Sequence, residues 1–230
     1  MPTTAGNRAT ARLVAALALL LAAVALPAAT SSAHASLHRG QLRALFFGDS
    51  LMNGTGAHPS RPILARVVAR RLGWTITVDA VGGTGYTTGG DRSRPYLERL
   101  SKPGLLSTPY DVVLLEGGTN DRAADAATMH LRTTETVRYV RSRLPTARIV
   151  LMGAYNPSGR GYDARRVTID AVIRAVAVEQ SLAYFSPIAG LWTKGQGRRF
   201  LCPDGLHPSA YGYGVLAAHL TAALRAARVG

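Results

Sequence analysis

Four short stretches of the chain hold residue types suited to acyl transfer. They are Gly48-Asp49-Ser50-Leu51, Gly82-Gly83-Thr84-Gly85, Gly117-Gly118-Thr119-Asn120-Asp121 and Asp204-Gly205-Leu206-His207. A serine hydroxyl is a weak nucleophile until a base takes its proton. His207 is a candidate base, and Asp204, three residues earlier, can orient the imidazole through its other ring nitrogen. Negative charge developing on an acyl oxygen needs preorganised donors. The N–H of Ser50, the N–H of Gly83 and the side-chain amide of Asn120 are candidates. Singly, each stretch has a plainer reading. Ser50 would serve as a helix N-cap, Asn120 and Asp121 as turn residues, and His207 as a surface histidine before a helix. Asp121 is expected to shape its turn.

Other residues have less to offer. His34, His38, His58, His130 and His219 lack an aspartate at that spacing. His58 lies near the serine loop, where a substrate contact is conceivable. The run Gly83-Thr84-Gly85-Tyr86-Thr87-Thr88 fails G-x-G-x-x-G at its last position, and no G-K-[ST] occurs, so a nucleotide loop is not expected. Cys202 is the single cysteine, which rules out an internal disulfide. It reads as a small buried apolar residue. No zinc spacing, helix-turn-helix or RNP-like motif points to nucleic acid.

These residues need elements to hold them. Residues 43–47 read as a strand ending at Gly48, which puts Ser50 at its carboxyl tip. Residues 61–72 carry a helical stripe of Ile63, Leu64, Val67, Val68 and Leu72 with arginines opposite. Further strands are predicted over 74–81, 111–118, 147–153 and 182–187, with helices over 124–144 and 163–181. Proline is tolerated in a first helical turn, so Pro208 is predicted to start a last helix running to about residue 227. The stretch 84–108 reads as a long loop with a short helix near 96–100. Alternating strands and helices predict an α/β fold whose parallel sheet is covered on both faces. In such sheets ligands bind beyond the carboxyl ends of the strands. Three of the four stretches directly follow predicted strands, and the fourth opens the last helix.

The amino terminus reads differently. Arg8 and Arg12 precede an apolar run over 13–26, and small residues follow to Ala33-His34-Ala35. This is the layout of a secretory signal, with cleavage expected after Ala35. Residues 36–41 are then a short polar lead-in, and 42–230 form one catalytic domain. The chain carries 27 Lys and Arg against 13 Asp and Glu, a formal charge of +14. Loss of the leader would remove Arg8 and Arg12 and no acid, leaving +12 (25 − 13). Such a surface attracts anionic partners, among them cell-envelope polymers, or is simply solvated.

The ordered set of Gly-Asp-Ser-Leu, Gly-Gly-Thr-Gly-Tyr, Gly-Gly-Thr-Asn-Asp and Asp-Gly-Leu-His-Pro closely resembles the SGNH hydrolases, also called GDSL esterases/lipases. The resemblance covers about residues 42–227. It implies a flavodoxin-like three-layer α/β/α sandwich with a central parallel sheet of about five strands. It implies Ser50 as nucleophile, Asp204 and His207 as the rest of a triad, and Ser50, Gly83 and Asn120 as the oxyanion hole. The family often has an asparagine or glycine shortly before the oxyanion glycine. Here Val78-Asp79-Ala80-Val81 stands instead, which leaves Gly82 and Gly83 both open. No metal or other cofactor is implied. The expected activity is hydrolysis of carboxylic esters by an exported, monomeric enzyme. Small-molecule, lipid or polysaccharide esters all qualify as substrates. No long apolar lid is visible, which favours short-chain or acetyl esters. The alternatives are acyl transfer to envelope sugars by the same site, and a non-catalytic module that binds anionic polymers.

Overall fold

A computed structural model describes residues 41–57, 64–91, 93–157 and 163–229. Residues 1–35, expected to be a leader, and His58 lie outside the described residues. Five strands form one parallel sheet: β1 (Arg43–Gly48), β2 (Thr75–Ala80), β3 (Val112–Glu116), β4 (Arg148–Met152) and β5 (Ala183–Phe185). Their order is β2-β1-β3-β4-β5. This is the expected flavodoxin-like order, in which the chain reverses its winding direction between β1 and β3 and opens a crevice there.

Burial explains why the central strands read as continuous apolar runs. Ala44 to Phe47 and Val113 to Leu115 are fully buried, because helices cover both sheet faces. One core packs the sheet against α1 (Ser50–Asn53), α2 (Leu64–Leu72) and α6 (Ala210–Ala226). The other packs it against α3 (Tyr96–Leu100), α4 (Ala126–Arg143) and α5 (Ala164–Glu179). Residues on β1 alternate between the two, Phe46 to the first and Phe47 to the second, as the two-residue period of a strand requires.

The predicted elements are present, most trimmed by a residue or two at their ends. Gly117 and Gly118 lie beyond β3 rather than in it. The 84–108 loop contains α3 at the expected place, and also a short 3₁₀ turn at Leu105–Ser107. The start of the last helix needs correction. Pro208 pairs as a β-bridge with Leu201, and α6 begins at Ala210 behind Ser209. The Ser209 hydroxyl accepts the Gly212 N–H at 3.2 Å and donates to the Arg199 carbonyl at 2.6 Å, which makes it the N-cap.

Candidate active site

The four stretches converge at the carboxyl ends of the strands. Gly48 ends β1, and Asp49 caps α1 by accepting the Leu51 N–H at 2.8 Å. The cap is therefore Asp49, and Ser50 is the first helical residue with its hydroxyl free for other work. From α6, the Tyr213 hydroxyl donates to the carbonyl of Thr55 at 2.8 Å and reaches that of Ser50 at 3.5 Å, pinning the turn from behind.

Ser50 Oγ lies 3.1 Å from His207 Nε2, and His207 Nδ1 lies 2.7 Å from Asp204 Oδ2. With Nδ1–H donated to Asp204, the Nε2 lone pair faces the serine hydroxyl. Asp204 Oδ1 also accepts the N–H groups of Leu206 and His207, at 2.8 and 2.9 Å. One carboxylate thus fixes both the fold of its loop and the ring it orients. Partial burial alone would raise the Asp204 carboxyl, but the His207 ring and these amides outweigh it and lower it to about 2.

Gly82 and Gly83 are exposed beside the serine. A Cβ on Gly82 would stand 3.6 Å from that of Ser50, and Gly83 has φ +77°, which a side chain would disfavour. Neither amide has an acceptor among the described residues. Asn120 is placed at the same crevice, but its amide is already engaged. Nδ2 donates to Asp49 Oδ2 at 3.0 Å and to the Thr84 carbonyl at 2.9 Å. Asp121 does structural work as expected, but its carboxylate holds another loop rather than only its own turn. Its carboxylate accepts the N–H groups of Tyr86 and Thr87, at 3.2 and 2.7 Å, and the Thr87 hydroxyl at 2.7 Å. It clamps the second stretch to the third.

Two supports were not legible as site residues. Arg99, on α3, is 2% exposed and stacks over Phe47. It donates to the carbonyl of Gly48 and the hydroxyl of Thr84, and pairs with the Asp79 carboxylate. Nothing in the mixed 84–108 loop marks it. Glu116 is fully buried at the end of β3, and a carboxylate closing an apolar strand was its only signal. Two plainer expectations also change. Cys202 is half-buried, and its thiol donates to the Gly56 carbonyl at 2.8 Å, so it is a hydrogen-bonded link and not apolar filling. His130 has a carboxylate partner after all, Glu179 at 2.8 Å, on the exposed surface away from these four stretches.

Residues 46–215 match the model of the GDSL-like lipase/acylhydrolase family. No curated protein matches the sequence. Among solved structures, the lipase/acylhydrolase from Enterococcus faecalis is 20% identical with TM-score 0.64, over 81% of this chain and 96% of that one. The lipase Lip_vut3 from a goat rumen metagenome is 18% identical with TM-score 0.62, over 80% of this chain and 97% of that one. A family two carbohydrate esterase from Clostridium thermocellum, in complex with cellohexaose, is 20% identical with TM-score 0.61 over 81% of this chain and 65% of that one. At these identities the likeness is one of fold.

Proposed function

The chain belongs to the GDSL-like lipase/acylhydrolase family, a family of carboxylic ester hydrolases, and from that premise we propose an exported serine esterase acting through a Ser50–His207–Asp204 triad. The observation that carries the reading is the unbroken relay from Ser50 Oγ through the His207 ring to Asp204, at 3.1 and 2.7 Å. Ser50 Oγ attacks the ester carbonyl while its proton passes to His207 Nε2. The carbonyl π pair moves onto oxygen, where the N–H groups of Ser50 and Gly83 and the amide of Asn120 receive it. Collapse breaks the C–O bond, and the imidazolium returns the proton to the departing alkoxide. Water then attacks the Ser50 acyl ester with His207 as base again. Acid is released and the serine hydroxyl restored. Asp204 stays ionised throughout and stabilises the imidazolium.

Asn120 takes part by giving up one present acceptor. The side chain turns slightly so that the Nδ2 hydrogen now on the Thr84 carbonyl meets the oxyanion, while the Asp49 carboxylate keeps the other. Short-chain or acetyl esters are the proposed substrates, since the groups around Ser50 are glycines and polar side chains. The carbohydrate esterase in complex with cellohexaose supports saccharide esters among them. Export rests on the leader-like residues 1–35, and the formal charge of +12 (25 − 13) left after their loss supports an anionic envelope surface as the setting. The test is turnover by purified protein of short- and long-chain chromogenic esters, acetylated polysaccharide and lysophospholipid, with and without a sugar acceptor. Preferred cleavage of acetyl or short-chain esters is expected. Release of acyl groups only when an acceptor is present would make the enzyme a transferase, and no turnover of any ester would defeat the reading.

A further inference from the structure

Below the nucleophile lies an acid that the proposed chemistry does not use. Glu116 closes β3 at the centre of the sheet and is fully buried. Its Oε2 accepts the Asp49 N–H at 3.2 Å. The same oxygen presses on the backbone of Gly48, where any side chain would overlap it. Its Oε1 accepts no hydrogen bond. Asp49 is fully buried as well. Its Oδ1 holds the Leu51 N–H at 2.8 Å and its Oδ2 holds the Asn120 amide at 3.0 Å. The two carboxyls meet side chain to side chain.

Two bare carboxylates in that contact would repel across a dry interior, whereas one shared proton turns the repulsion into a hydrogen bond. Around the pair, Asp121 on the turn after β3 favours keeping the proton, while His207 on the last loop and the Met52 N–H oppose it; Tyr86 and Tyr96 face the pair from the loop and α3, and Tyr213 from α6. Arg99 lies behind Gly48, but its guanidinium is taken by the Gly48 carbonyl, Thr84 and Asp79. Burial first, and then the charge of Asp49, push the Glu116 carboxyl well above the ordinary range, while Asp49 rises only to about 6. Both Asp49 oxygens already accept hydrogen bonds while Glu116 Oε1 accepts none, and this arrangement assigns the proton to Glu116. A proton on the otherwise unpartnered Glu116 oxygen also gives that oxygen a hydrogen bond to make.

We propose that Glu116 is a positioning residue: a neutral carboxylic acid that donates its proton to Asp49 and, through Asp49, holds the Ser50 turn and the Asn120 amide in register. The inference rests on the serine-esterase reading above. Glu116 touches no substrate; it sets the orientation of the one carboxylate that both caps the nucleophile turn and binds the oxyanion amide. Without the proton, Asp49 and Glu116 separate and both groups shift, and a misplacement of about 1 Å can cost on the order of 100-fold in rate.

Glu116→Gln keeps an acceptor for the Asp49 N–H and supplies a permanent donor to the Asp49 carboxylate. Glu116→Ala removes both. At neutral pH, Glu116→Gln is expected to hold kcat within about threefold of the wild type. Glu116→Ala is expected to lose roughly 10- to 100-fold in kcat at nearly unchanged KM. Two readouts need no turnover. The infrared spectrum at neutral pH should show the carbonyl band of a protonated buried carboxyl, lost in Glu116→Gln. The melting temperature of Glu116→Gln relative to wild type should climb as pH rises above 4.5, the ordinary value for this carboxyl. The sign follows because a raised carboxyl keeps its proton only in the folded state, so wild-type stability falls between the unfolded and folded pKa. The proposal is overturned if the band survives in Glu116→Gln, if the folded Gln variant loses as much kcat as Ala, or if Ala is fully active. Should Ala fail to fold, the Gln variant and the two spectroscopic and thermal readouts still decide. Failure of the esterase reading looks different, as ester hydrolysis that persists in Ser50→Ala.

Discussion

Asn120 joins two jobs in a single side chain, and substitution should separate them. Its amide braces Asp49 and Thr84 in the resting site and, in the proposed mechanism, meets the oxyanion only in the transition state. Losing one oxyanion donor costs about 2.7–4 kcal/mol, on the order of 100- to 1,000-fold in kcat. Asn120→Ala should therefore lose that much kcat in the folded fraction while KM stays close to normal, and should also melt earlier because Asp49 loses a donor. Kinetics and melting on one preparation check this, and a lower melting temperature with normal kcat would leave only the bracing role. The pair Asp204–His207 makes a second forecast. His207 accepts the serine proton only when neutral, while Asp204, lowered to about 2, stays ionised well into the acid range. kcat/KM should thus fall on the acid side before Asp204 takes up a proton. The Asp204 contribution to stability is present above the ordinary aspartate range and lost only as pH falls towards 2. A kcat/KM profile that stays flat down to the range where Asp204 protonates, with the fold intact, would remove His207 as base. Ser50, Asp204 and His207 were legible because their types and order suit the proposed chemistry. Glu116 and Arg99 were not, because their work is to face other buried groups, and facing depends on how the chain folds back.

Among the elements, the turn after β3 does the most to assemble the crevice. Asp121 reaches across to Tyr86 and Thr87, so the loop after β2 is held at the height of Ser50. Asp121→Ala would strand the buried Tyr86 amide, at a cost of about 1–3 kcal/mol, together with the part-buried amide and hydroxyl of Thr87. The expected result is a clear loss of melting temperature, faster proteolysis of the loop between β2 and α3, and reduced kcat from a wandering Gly83 amide. Unchanged proteolysis would mean that the clamp does not hold the loop. The order of strands and helices could be read from sequence because the buried strands are apolar runs and the helices carry apolar stripes. Their ends were less legible. Pro208 looked like the first residue of α6, yet it pairs with Leu201 and leaves Ser209 to cap. A proline before a cap and a proline inside the first turn have the same local sequence, and only the bridge across the loop separates them.

At the scale of the whole molecule, the parallel sheet puts the proposed site at one end and leaves basic residues at the other. Arg71, Arg225 and Arg228 line a cavity of about 620 Å³ beside Trp74, at the amino-terminal edge of the sheet, and among the described residues no acid lines it. Arginines there also suit the carboxyl ends of α2 and α6, which the helix dipole makes negative. If the basic surface serves an anionic envelope, sedimentation with vesicles of anionic lipid should be strong at low salt. It should fade as the screening length shrinks from about 10 Å at 0.1 M to about 3 Å at 1 M. Binding that ignores salt would rule out a charge-led contact. The central claim, however, is that Ser50 carries the acyl group, and one measurement meets it most directly. Intact and peptide mass spectrometry after treatment with an ester-like phosphonate should find a single adduct, on Ser50, with hydrolysis of a short-chain ester lost in step. In Ser50→Ala, folded with an unchanged melting curve, both the adduct and the hydrolysis should be absent. An adduct on another residue, or full hydrolysis by Ser50→Ala, would contradict the account.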